Sequence, residues 1–148
     1  MNFIRDVLAF HSKFRHHTPT PGKPTLLAYP FELRTRLIVE EAVEFATACG
    51  YRVLLRWDGT IELEATGHCD WPDMIDACID LLYVVVGALI AMGLDYAQIE
   101  VFWNEVHEAN MRKSMKKDEK STPGKTLKPP GWIGPRMNEL LSRMVNRP

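Results

Sequence analysis

Two trios of carboxylates carry the chemistry that this sequence offers. Glu40, Glu41 and Glu44 spell E-E-x-x-E, and Asp73, Asp76 and Asp80 follow at spacings of three and four. Helical residues three or four apart share a face, so each trio stacks its acids on one side of a helix. Like charges so placed repel by about 0.2–0.5 kcal/mol per pair on an exposed helix, and burying one without compensation costs considerably more. A surface helix relieves such repulsion with interleaved Lys or Arg, yet there is none from Ile38 to Tyr51 or from Trp57 to Asn110. Oxygen-only donors on opposed helices suit a hard divalent cation, Mg²⁺ or Mn²⁺, whereas His or Cys would favour zinc. Two of the acids also have plainer readings: Asp73 stands where a helix N-cap wants a first-turn acid, and Glu40 alone fits a solvated helix position. The apolar run that follows Asp80 places Asp76 and Asp80 inward or at the edge of the core.

The elements that must hold these acids are legible from periodicity and punctuation. Phe3, Val7, Phe10 and Phe14 fall at helical spacing and predict a first helix over 3–14, which the prolines at 19, 21, 24 and 30 stop. Leu33, Leu37, Ile38, Val43 and Phe45 predict a second helix from Phe31 to about Ala48, ended by Gly50. Residues 51–66 change texture: two short apolar runs flank Asp58-Gly59, whose positive φ suits a tight turn, and predict a hairpin with Trp57 beside that turn. Asp70 with Pro72 opens a third helix from Trp71 to about Met92, and Asp95 with Gln98 opens a fourth through Met111. Residues 115–148 form a basic, Pro- and Gly-rich tail with a short helix over about 136–145. The fold class is therefore all-α: an antiparallel four-helix-bundle core with a short hairpin insertion and a basic C-terminal tail, one domain over residues 1–148.

The chain has 148 residues, 46% of them hydrophobic, enough for one globular core, and a net charge of −1. That sum hides a split, −8 through Met111 and +7 from Arg112 onward, counting Lys, Arg, Asp and Glu. The acidic part opposes a nucleic-acid coat, so no stable nucleic-acid binding is expected. The apolar run from Leu81 to Leu94 is shorter than the roughly 20 residues that a bilayer span takes, no basic-apolar-small signal order opens the chain, and no membrane partner is expected. Cys49, Cys69 and Cys78 are spaced for neither a disulfide framework nor a CxxC zinc site, which makes a reducing cytoplasm the expected compartment, host cytoplasm if the protein is viral.

The acids, with Asp80-Leu-Leu-Tyr83 after the second trio, resemble the E-E-x-x-E and E-x-x-D signature of the MazG-like all-α nucleoside triphosphate pyrophosphohydrolases, a group that includes the phosphoribosyl-ATP pyrophosphohydrolases. The likeness extends to Val7–Phe14, Arg36-Leu-Ile38, Val106–Lys113 and, as in bacteriophage-type members, Gly124–Trp132. The resemblance implies cleavage of a nucleoside triphosphate to monophosphate and pyrophosphate with Mg²⁺ or Mn²⁺, in a homodimer or homotetramer. It makes Glu41 and Glu44 paired ligands, Glu40 a ligand of another ion or the base for the attacking water, and Asp80 the family aspartate. Three residues before Asp80, where many members have Glu, this chain has Ala77, so either Asp76 takes that role or Asp73 and Asp76 form the pair one turn away. Lys113, Lys125 and Lys128 are then candidate phosphate contacts, Asn110 a contact to phosphate or sugar, Trp132 a base-stacking ring or a tail anchor, and His11 a pocket residue or a core histidine. The base is read as guanine, (d)GTP, with dCTP or dUTP next. A reading of another class is a metal-stabilised helical binding module with no turnover.

Overall fold

The computed structural model describes residues 3–114 and 126–145. Its order is α1 (Phe3–Phe14), α2 (Phe31–Ala48), β1 (Tyr51–Leu55), β2 (Ile61–Ala65), α3 (Trp71–Ala91), α4 (Tyr96–Met111) and α5 (Met137–Val145). The architecture is all-α with one two-stranded antiparallel hairpin, as the periodicity predicts.

The core of the arrangement is the pair α2–α3. The hairpin returns the chain, so the Asp70 N–H donates to the Ala48 carbonyl at one end, and at the other the Arg34 guanidinium lies against Gly87. The two helices therefore run antiparallel. The first helix lies on α3, where Val7 packs with Val86 and Ile90, and Ile4, Leu8 and Tyr83 close the cluster. Burying a Val or Ile side chain is worth about 1.5–3 kcal/mol, so this small cluster fixes where α1 sits. The connection from α1 to α2 is held over the end of α3: Gly22 N–H donates to the Gly93 carbonyl and Thr25 N–H to the Met92 carbonyl.

Caps set the helix starts. The Asp70 carboxylate accepts from the Asp73 N–H at 3.2 Å. At α4 the reciprocal pair is complete, with Gln98 N–H donating to Asp95 and Asp95 N–H donating to the Gln98 side chain. The same Gln98 amide donates to the Gly22 carbonyl, tying α4 to the first connection.

Among the described residues α3, with 21 residues, is the one helix long and apolar enough by composition to cross a bilayer. It packs along α2, bears Asp73, Asp76 and Asp80, and has about a third of its apolar stretch buried within the chain. Of the two placements expected for Asp76 and Asp80, inward or at the edge of the core, the inward one is corrected: both are exposed, and the residue between them that packs inward is Ala77. An apolar run around the whole helix does not say which of its sides meets α2.

Candidate active site

The acids converge on Glu41. This residue sits half-buried at the α2–α3 contact, and its Oε2 is buried with no hydrogen-bond partner. Burial pushes its pKa above the usual carboxylate range, and the charges of Glu44, Asp80, Glu40 and Asp76 push it further in the same direction. The two helices thus bring five of the six predicted acids into one field. Asp73 does not act on Glu41; it stays in the first turn of α3, where its amide is taken by the Asp70 cap. Asp76 and Asp80 are thus the two aspartates of α3 that lie in the field of Glu41.

Among the described residues no three of these groups stand close enough together to enclose a cation as they are placed. Their chemistry nevertheless fits one. The donors are all carboxylate oxygens, no Lys or Arg intervenes, and the unpartnered Glu41 Oε2 is an acceptor that a cation would satisfy where no N–H does. Glu40, Glu44, Asp76 and Asp80 are exposed, free to swing by a rotamer towards a ligand.

The remaining predicted residues divide differently. His11 is 2% exposed, and its pKa is lowered from 6.5 to about 4 by burial, then by the nearby Arg34 and His16. Neutral at ordinary pH, it accepts from the Arg34 guanidinium at 3.1 Å through Nε2, which leaves Nδ1–H to donate to Thr18 Oγ1 at 3.4 Å. It is a satisfied core histidine rather than a residue lining an open pocket. Arg34, 4% exposed, is the residue that sequence reasoning passed over. Its guanidinium passes beside Gly87, where an added Cβ would stand 3.0 Å from Nη1 and 3.1 Å from His11 Nε2. A glycine in the middle of an apolar helix was the signal available for it.

Trp132 anchors the tail. Its indole N–H donates to the Ala109 carbonyl of α4 at 2.9 Å, and Lys128 and Lys113 place their ammonium groups 4.8 Å and 5.8 Å from the ring centre. These lysines and the exposed Asn110 gather at the end of α4, and no ion pair joins them to the α2 and α3 acids among the described residues. Lys125 lies outside the described residues. The tail has a second fastening: Glu105, 7% exposed, accepts from the Arg136 backbone N–H and, with both oxygens, from its guanidinium at 3.1 Å. The bonds from Arg136 hold the Glu105 pKa below the usual carboxylate range. Trp132→Ala removes one fastening and the packing of a partly buried indole. It is expected to leave helix content intact by circular dichroism while limited trypsin digestion releases the C-terminal segment faster than in wild type; equal digestion rates would show that the Glu105–Arg136 clasp alone holds the tail.

Comparison with curated proteins returned no match. The sequence profile of the phosphoribosyl-ATP pyrophosphohydrolases matches residues 7–110, which span α1 to α4 and every acid described above. Members of that family are pyrophosphohydrolases, hydrolases of phosphoric anhydride bonds that typically depend on a divalent metal. With its match over most of its length and the acids of α2 and α3 facing one another, this chain belongs to the phosphoribosyl-ATP pyrophosphohydrolase family.

Proposed function

We propose that this nucleotide pyrophosphohydrolase takes a nucleoside triphosphate, with (d)GTP the first candidate, and yields the monophosphate and pyrophosphate. The observation that carries the reading is the crowding of Glu40, Glu44, Asp76 and Asp80 around the orphaned Glu41 oxygen. A triphosphate is itself an anion, so a cluster of carboxylates attracts it only through cations. Glu41, Glu44, Asp76 and Asp80 would hold Mg²⁺ or Mn²⁺. When bound, such an ion neutralises charge developing on the phosphate oxygens and acidifies a water. The exposed Glu40 is free to serve as a further ligand or to accept the proton of the attacking water, while the half-buried Glu41 is the least solvated of the trio. Lys113 and Lys128, gathered on Trp132, and Asn110 are polar groups at the far end of α4 that would meet phosphate or sugar; Lys125, outside the described residues, is a further candidate, and Asp73 is left to its cap.

The substrate belongs to the free nucleotide pool of the cytoplasm, host cytoplasm for a bacteriophage-type member, and the reading involves neither nucleic acid nor membrane. The exposed Val39, Val43, Ile75, Ile79 and Leu82 of α2 and α3 support a homodimer or homotetramer.

The test is product analysis. The protein is incubated with each of the eight common (d)NTPs, and with phosphoribosyl-ATP, in Mg²⁺ or Mn²⁺, and the products are resolved by chromatography. Monophosphate and pyrophosphate, fastest from a guanine nucleotide, are expected. Faster turnover of dCTP or dUTP would move the base assignment, orthophosphate would indicate another bond, and no turnover of any nucleotide would favour a metal-stabilised binding module.

A further inference from the structure

The hairpin is built with an apolar face that its own chain leaves open towards the tip. Strand register pairs Tyr51 with Ala65, Val53 with Leu63 and Leu55 with Ile61. Directly opposed residues share a face, and side chains alternate along a strand, so these six line one side. The other side carries Arg52 paired with Glu64 at 3.1 Å and Arg56 paired with Glu62. The charged face is thus neutralised within the hairpin and suits water. The apolar face does not: Leu55 is 75% exposed, Ile61 65% and Leu63 54%. Beyond them Trp57 is 98% exposed, displayed by a turn that Gly59, at φ 82°, and the bond from Thr60 N–H to Asp58 hold in shape. An isolated two-stranded hairpin is marginally stable in water, so a display of this kind costs stability unless something covers it.

A receptor for it exists on the same fold. Where the hairpin leaves α2 and enters α3, Phe45, Trp71, Met74, Ile75, Cys78 and Ile79 line a wholly apolar depression of about 400 Å³. Within one chain the tip does not fill it: Trp57 is almost wholly exposed, and no hairpin residue lines the depression. Two copies related by a two-fold axis satisfy both at once, each supplying a tip to the other's depression, which is the self-complementary arrangement that a closed dimer requires. The area is sufficient: Leu55, Trp57, Ile61, Leu63, Trp71, Ile75 and Ile79 together expose roughly 900 Å² per chain, against about 800 Å² per partner in a standard stable interface.

We infer that the hairpin is an assembly arm that crosses to a second copy of this chain, its apolar face and Trp57 covering the partner copy's depression between α2 and α3. The inference rests on the homo-oligomer reading, and adds to it which element makes the contact. It needs no assumption about the reaction.

The depression contains a reporter, since Cys78 is exposed at its wall. In the Trp57→Cys variant, mild oxidation of the full-length protein is expected to give a covalent dimer on a non-reducing gel, with residue 57 joined to Cys78 by peptide mass spectrometry, and Cys78→Ala in that background is expected to abolish the link. Separately, Trp57→Ala is expected to weaken the dimer by about 30-fold or more in sedimentation velocity while leaving the helical spectrum unchanged. A monomeric wild type at micromolar concentration overturns both the arm and the homo-oligomer reading. An oligomer that is insensitive to Trp57→Ala and forms no 57–78 link overturns the arm alone and leaves the homo-oligomer reading in place.

Discussion

Glu41→Gln is expected to reduce nucleotide hydrolysis by at least about 1,000-fold while raising the melting temperature of the metal-free protein. The two effects have one cause. Glu41 is held by burial and by four carboxylates in a state where its charge is disfavoured, so the wild-type fold tolerates that charge at a cost. Replacing it with an isosteric amide removes roughly 1 kcal/mol of mutual repulsion, worth about 2–4 °C in a domain of this size, and removes the oxygen that a cation would need. Glu44→Ala and Asp80→Ala should behave alike, since both charges act on Glu41. In wild type, saturating Mg²⁺ or Mn²⁺ should raise the melting temperature, by about 2.7 kcal/mol of stabilisation at a hundred times Kd, and in the variants that increment should shrink. Activity and thermal shift are independent readouts. Wild-type turnover in Glu44→Ala and Asp80→Ala would refute the site, and a metal-free Glu41→Gln protein less stable than wild type would show that Glu41 is a structural acid.

The sign of the pH response follows from the same group. A carboxyl whose pKa is raised by folding binds its proton more tightly in the native state than in the unfolded chain, so Glu41 contributes stability as pH falls and withdraws it as pH rises through its native value. Under the proposed function activity runs the other way, since a protonated Glu41 would be a poor ligand. The metal-free fold and the loaded enzyme would then make opposite demands on one side chain, the trade expected where function is built from repulsion.

How much of this was legible in the sequence depended on whether the signal was local. The ends of α1 and α2 were, because Pro19, Pro30 and Gly50 punctuate them; the hairpin was, through Asp58-Gly59; and the start of α4 was, through the Asp95–Gln98 capping box. The acid spacing was legible for the same reason, each trio lying within one helix. What depended on contacts between distant segments was not. Which of the three aspartates face Glu41 is set by how α3 rotates against α2, and α3 is too uniformly apolar to announce it. Glu105 and Arg136 are 31 residues apart, with nothing in their local sequence to pair them, though together they clamp the tail to α4. Trp132 allowed two readings, and the bond to the Ala109 carbonyl that makes it an anchor joins residues 23 apart. Arg34 carries no local signal of burial, and it is the missing side chain at Gly87 that makes room for it.

That buried pair supports the second large effect: unfolding free energy is expected to fall by about 2 kcal/mol between pH 7 and pH 5 through His11 alone, and His11→Gln is expected to remove that slope. The unfolded histidine titrates near 6.5, whereas burial and the facing Arg34 and His16 hold the native imidazole at about 4. Between those values the unfolded chain binds a proton that the folded chain refuses. The contribution is complete above pH 7, is lost as pH falls through 6.5, and levels off near pH 4. Glu41 and the other titrating groups are common to both proteins, so the difference between wild-type and His11→Gln urea midpoints at pH 7, 6 and 5 isolates the imidazole. Glutamine keeps an acceptor for the Arg34 guanidinium but has no proton to gain, so the variant's profile should lack the decline that wild type shows. Parallel profiles for the two proteins would mean that His11 is protonated in the fold, and so cannot be the acceptor for Arg34. Arg34→Met tests the other side of the contact: without the facing cation the native imidazole should titrate at higher pH, and the wild-type slope should diminish but persist, because burial, the larger cause, remains.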